Sequence, residues 1–290
     1  MFVNKDSGQV LLTVVLVMIV ALTVGLSLAS RSIVEVRTSS EDADSQRALA
    51  AAEAGIEQAL NEYVPFSGDF SQIPGLAYDV DITAVGGNEL LLNNGNLVEK
   101  GDGVDIWFVA HLDPDNDGFF EPDFGTASWD ENDTLDIYWG TSGTSCENAA
   151  LEAIVIVGTL ASPSLKRYAL DPCDARRSSN NFINPDTGTF SILGETLHHK
   201  YRVGTPGWIA PGSTVLYAKV IPIYTNAIMG VDASRALPTQ GYSITSTGEL
   251  TIVESVKRSI NVFRQYGQLP IEYVNYGLFS PCADVGNPDC

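Results

Sequence analysis

Gly8-Gln-Val-Leu-Leu-Thr-Val-Val-Leu-Val-Met-Ile-Val-Ala-Leu-Thr-Val-Gly-Leu-Ser-Leu28 organises the rest of the chain. Between Ser7 and Ser30 no side chain carries a charge. About 20 apolar residues, each rising 1.5 Å along a helix, match the roughly 30 Å hydrocarbon core of a bilayer. The run therefore reads as a membrane-spanning helix. A removable signal peptide would have a shorter apolar core and a small-residue cleavage site, whereas this run continues into helical sequence.

Residues Met1 to Gly8 are short and polar and read as a leader. After the apolar run, Ala43 through Tyr63 has no Pro and a single Gly. Leu49, Ala52, Ile56, Ala59 and Tyr63 recur at three- and four-residue steps and predict one apolar stripe that leaves the bilayer and lies against a folded surface. Asp44, Arg47, Gln58 and Glu62 fall on the other face. Ser39-Ser-Glu-Asp42 between the two halves consists of poor helix formers and is a place for a bend.

The leader ending in Gly8, the uncharged run, Leu28-Ala-Ser-Arg31, Glu35-Val-Arg37 and Gln46-Arg-Ala-Leu-Ala-Ala-Ala-Glu-Ala-Gly-Ile56 together resemble the N-terminal region of PilX-like minor type IV pilins. The Ala51-Ala-Glu-Ala-Gly55 motif is the most specific part. Gly241-Tyr-Ser-Ile-Thr-Ser-Thr-Gly248 and Val256-Lys-Arg-Ser-Ile-Asn-Val262 add a weaker likeness. The resemblance implies cleavage by a prepilin peptidase between Gly8 and Gln9. It also implies packing of the apolar run against other pilin subunits in a filament core. Major pilins usually begin with Phe and carry Glu at the fifth mature position, where this chain has Gln9 and Thr13. That departure resembles subunits at a tip or present in few copies.

A net charge of −20, from 36 acidic and 16 basic residues, repels phosphate backbones and argues against nucleic acid as a partner. The basic pairs Lys166-Arg167 and Arg176-Arg177 read as solvated loop charges. Cys146, Cys173, Cys282 and Cys290 lack the Cys-x-x-Cys spacing of zinc or redox sites. An even set without that spacing points to disulfides in an oxidising compartment. Three connectivities exist; joining sequence neighbours, Cys146 to Cys173 and Cys282 to Cys290, needs the least chain rearrangement. Basic residues flank the membrane run as Lys5 before it and Arg31, Arg37 and Arg47 after it. Counting them would put the C-terminal side in the cytoplasm. The cysteines and the acidic composition favour the opposite orientation, and long domains translocate largely regardless of charge.

From Pro65 onward short β-type runs alternate with Gly, Pro, Asn and Asp. Strands are predicted at Tyr78 to Val85, Val104 to Leu112, Leu135 to Trp139, Ala153 to Leu160, Thr196 to Val203, Val215 to Tyr224, Gly241 to Ser246 and Val256 to Gln265. Ala153-Ile-Val-Ile-Val157 reads as buried on both faces. Pro222 restricts its strand to an edge or a bulge. Asn180 to Gly188 reads as a turn-rich insert. The expected class is α+β, a long N-terminal helix followed by a mostly antiparallel β-rich domain. The expected organisation is a leader at 1–8, a transmembrane and amphipathic helix at 9–62 and an extracytoplasmic β-rich domain at 63–290.

Asp113-Pro-Asp115-Asn-Asp117-Gly118-Phe119-Phe-Glu121 places acidic oxygens at the first, third, fifth and ninth positions and glycine at the sixth. Calcium loops use that spacing, with Phe119 offering its carbonyl. Phe124 occupies the twelfth position, where an EF-hand has a bidentate Glu, so the likeness is to shorter EF-like loops, with Asp123 a candidate extra ligand. Ca2+ is the expected cofactor. No catalytic set stands out: His111 reads as a strand residue, and His198 and His199 point to opposite faces. Phe119 and Phe120 are candidates for an exposed contact surface, whereas the tryptophans read as core. The expected function is that of a minor pilin-like structural subunit, not an enzyme, which enters a pilus or pseudopilus for assembly, adhesion or surface contact. The alternative is a permanently anchored, calcium-stabilised surface adhesin.

Overall fold

The computed structural model of the chain describes residues 7–60, 64–113, 120–159, 162–204, 208–251 and 256–267, with side chains from Leu11 onward. One helix, α1 (Ser7–Ala59), is followed by strands: β1 (Phe66–Asp69), β2 (Leu76–Leu91), β3 (Val104–Trp107), β4 (Ala110–Leu112), β5 (Glu121–Asp123), β6 (Leu135–Trp139), β7 (Ala150–Thr159) and β8 (Ser162–Leu170). A short helix α2 (Asp174–Asn180) precedes β9 (Asp186–Ile192), β10 (Glu195–Val203), β11 (Thr214–Ile223), β12 (Met229–Leu250) and β13 (Val256–Gln265). This is the α+β class expected, a single apolar helix and an antiparallel β-rich remainder.

The chain divides into two compact units. The first contains α1 with residues 65–81 and 245–260. In it β1 pairs antiparallel with β2, Phe66 opposite Val80 and Asp69 opposite Ala77. Helix α1 is uninterrupted through 53 residues, Ser39 to Asp42 included. Pairs one turn apart support that weak region, Arg37 reaching into it to Glu41 at 2.8 Å and Arg47 meeting Asp44 just after it at 2.8 Å. Its side chains from Leu11 through Ala43 are exposed.

The second unit, formed by the described residues within 82–244 and by 261–267, is a β-sandwich. One sheet has the order β2-β12-β6-β10-β9, and the other the order β3-β11-β7-β8. Val104, Ile106, Leu151, Ala153, Val155, Ala218 and Val220 of the second sheet meet Leu135, Ile137, Trp139, Met229 and Val231 of the first in one core. The opposite face of the β3-β11-β7 strip, carrying Trp107, Ile154, Tyr217 and Ile221, is sealed by Val109 and Tyr266 with Phe120, Phe124 and Tyr242 packed against them. Ala153 to Val157 is thus covered on both faces, as the unbroken apolar run requires.

Several elements lie elsewhere than expected. Val104 to Leu112 is two strands, β3 and β4, because β4 turns away to pair with β5. Pro222 sits in a strand flanked on both sides, but the β3 pairing stops at Val220, so the missing N–H falls beyond the partner's end. The turn-rich insert begins at Asn180, the last residue of α2, and runs into β9. Lys166 and Arg167 belong to strand β8, and Arg176 and Arg177 to helix α2, so neither pair is a loop. Side-chain amides close the outer edge of β3: Gln240 accepts from the Trp107 amide at 2.7 Å and donates to its carbonyl at 2.8 Å, and Gln265 donates to the Asp105 carbonyl at 2.7 Å. An edge so satisfied offers no template for another strand.

Candidate functional site

The seat of α1 in the first unit is built from small residues. Of the expected stripe, Ala52 and Ala59 are buried and Ile56 is half-buried, whereas Leu49 is 38% exposed and Ala48, Ala51 and Gly55 are buried beside the stripe, so the seated face turns toward Ala48 at its start. The cause is backbone proximity, since β12 approaches too closely for large side chains. A Cβ on Gly248 would overlap the Ala48 carbonyl and come within 2.7 Å of the Ala52 amide nitrogen. A Cβ on Gly55 would overlap the Ser246 hydroxyl and come within 2.9 Å of Val80. Within Ala51-Ala-Glu-Ala-Gly55 the first two alanines and the glycine face inward while Glu53 is exposed. Ala51 packs with Leu76 and Leu250, flanked by Phe70 and Tyr78. Tyr78 donates to Gln58 at 2.7 Å, which puts Gln58 at the seat and not on the outer face. Arg258 donates to Ser45 at 2.8 Å. Tyr63 and Glu62 lie outside the described residues.

Of the calcium set, Asp115, Asp117 and Phe119 lie outside the described residues, as do Cys282 and Cys290 and the junction partner Gly8 in its side-chain surroundings. The flanks are described. Leu112 of β4 pairs with Glu121 of β5, so Asp113 and Glu121 open and close the loop at the base of a hairpin. Asp123 is already engaged: its Oδ1 accepts from the Gly125 amide at 2.9 Å. That contact caps the following turn and leaves Asp123 Oδ2 outside it. Among the described residues no group of three or more His, Cys, Asp or Glu side chains is arranged to hold a metal ion. Phe120 packs on Tyr242 and Tyr266 at ring separations of 5.8 and 5.5 Å, which makes it part of the core edge and not a free contact surface.

Cys146 and Cys173 form a disulfide, as their spacing suggested. Beside it the wholly buried Asp171 accepts from the Cys173 amide at 2.9 Å, from Arg176 at 2.8 to 3.1 Å and from Asn180 at 2.8 Å. Burial alone would push this carboxyl up; the Arg176, Cys173 and Asn180 donors outweigh it and hold it below the ordinary carboxylate range. Arg176 also donates to the Cys146 and Asn148 carbonyls. Asp136 is similarly held down against burial by Arg202 and Lys200.

The histidines are structural in their surroundings. His111, in β4, stacks on Tyr266 at 4.1 Å and meets Trp107 edge-on at 4.6 Å. His199 lies 2.9 Å from the Asn148 amide nitrogen, which donates to its Nε2. Burial lowers each to about 4. His198 instead turns to the Gly188 carbonyl.

Reading the sequence missed one constellation. Asp105 and Lys219 are Cα partners on β3 and β11, and the ammonium meets Asp105 Oδ1 at 2.6 Å with the two side chains 0% and 1% exposed. The available signal was a lone charge inside each of two apolar runs, Val104-Asp-Ile-Trp107 and Val215-Leu-Tyr-Ala-Lys-Val-Ile221. Comparison with protein-family models, with curated proteins and with solved structures found no match.

Proposed function

We propose that this chain is a minor type IV pilin-like structural subunit, cleaved by a prepilin peptidase between Gly8 and Gln9 and assembled into a pilus or pseudopilus through α1. One observation carries the reading. Helix α1 divides into an apolar part exposed along its whole length from Leu11 and a later part whose alanines and glycine are seated on β12. Among the described residues this is the one helix long and apolar enough to cross a membrane. A helix held at one end and bare at the other has two uses in sequence, as an anchor in lipid and then as a packing element against neighbouring copies. The Cys146–Cys173 disulfide favours display of the β-rich part outside the cytoplasm.

The mature N-terminus tests this. Mass spectrometry of the chain from cells with and without the peptidase is expected to give Gln9 as the first residue only when the peptidase is present. A chain still beginning at Met1 in both overturns the reading and leaves a permanently anchored surface protein.

A further inference from the structure

The Asp105–Lys219 pair is a reactive arrangement as well as an ionic one. The lysine stem lies across Gly103, where a Cβ would come within 2.7 Å of Cε and 2.9 Å of Cδ and Cγ. Glycine there leaves a groove that directs the amine back onto Asp105. Trp107, Ile154, Tyr217 and Ile221 line the same face and Tyr266 covers it, so water is excluded. The Tyr217 hydroxyl is buried near Asp105 without a hydrogen-bond partner of its own, and burial together with that carboxylate makes its proton hard to lose.

We propose that Lys219 and Asp105 are joined by an intramolecular isopeptide bond that forms once β3 and β11 have paired. An apolar surround penalises separated charge. Transfer of one proton from the ammonium to the carboxylate leaves a neutral amine beside a neutral acid. The Nζ lone pair attacks Cγ and the C–N bond forms. The tetrahedral carbon then expels one oxygen as water, which carries away the transferred proton and a second proton from nitrogen. Nothing is oxidised or reduced, and no co-reactant is needed. Tyr217, its proton retained, donates toward the oxygen that becomes the amide carbonyl. Strand register supplies the orientation, so the encounter is unimolecular and sealed from competing water. The product replaces two buried charges by one neutral amide and ties β3 covalently to β11. The inference is independent of how the N-terminus is processed.

Intact mass of the full, detergent-solubilised chain under denaturing conditions tests it. The expected mass is one water below that required by the sequence, the measured N-terminus and the disulfides, and proteolysis yields a branched peptide joining Lys219 to Asp105. Lys219→Met regains the water. A wild-type chain of full mass, with Lys219 acylated by an amine reagent after unfolding, overturns the proposal; so does a water loss mapped to any other position. If Lys219→Met does not fold, the wild-type mass and branched peptide decide alone.

Discussion

Gly248 of β12 lies against the α1 backbone so closely that a Cβ would overlap the Ala48 carbonyl oxygen. The obstacle is main chain, which cannot rotate aside as a side chain would. Gly248→Ala is therefore expected to unseat the helix and lower stability by about 1–3 kcal/mol, the usual range for overpacking. Thermal unfolding of the detergent-solubilised chain checks this, with Leu49→Ala, at an exposed position, as the control expected to change little. Equal effects at the two positions would contradict the seat.

Breaking the Cys146–Cys173 bridge with a Cys146→Ser, Cys173→Ser double variant releases a segment of sequence separation 27. Loop-closure entropy puts the loss at about 3.5 kcal/mol. Urea unfolding of the wild-type chain and of the double variant, both under oxidising conditions, should differ by a comparable amount.

Acid should weaken the second unit before its carboxylates titrate. His111 and His199 are held from the ordinary 6.5 down to about 4 by burial. A lowered histidine is neutral when folded and binds a proton on unfolding, so its contribution is complete above pH 6.5 and is lost as pH falls toward 4. At pH 5 the loss is about 2 kcal/mol per histidine. Asp136 and Asp171, lowered from 3.8, contribute above that value and lose it only at lower pH. Urea midpoints at pH 7 and pH 5 measure the slope, and His111→Phe, which retains a ring against Tyr266, should reduce it by about half. An unchanged slope in the variant would mean that His111 is protonated in the folded state.

If the acidic hairpin takes calcium, a chelator lowers the unfolding temperature of the wild-type chain, and Asp115→Ala with Asp117→Ala removes that difference. Indifference of both proteins to the chelator would leave 113–121 an acidic turn. The expectation rests on the loop spacing and on the β4–β5 pairing that draws Asp113 and Glu121 to one base.

Local signals carried much of the architecture. The charge-free run and the helical continuation foretold α1, and the β-type runs at Leu135 to Trp139 and Val256 to Gln265 correspond residue for residue to β6 and β13. Strand β8 escaped notice because it is an edge strand with Ser162 to Leu165 exposed, which removes the alternation that marks a half-buried strand. Of the candidate calcium ligands, only Asp113 and Glu121 at the hairpin base and the extra candidate Asp123 fall within the described residues.

The long apolar helix, the β-rich remainder and a cysteine pairing whose members are near in the chain were legible in the order of the residues. Those follow from period, charge and proximity, which are local. Only the tertiary structure decided that Ala48 and not Leu49 faces β12, that Arg176 serves the buried Asp171, and that Lys219 meets Asp105 across 114 residues of chain. The second depends on the helix that carries Arg176 back over Asp171, and the first and the last on how closely two distant backbones approach. That distance is set by packing of the whole unit, and it decided that α1 ends on a seat of alanine and glycine.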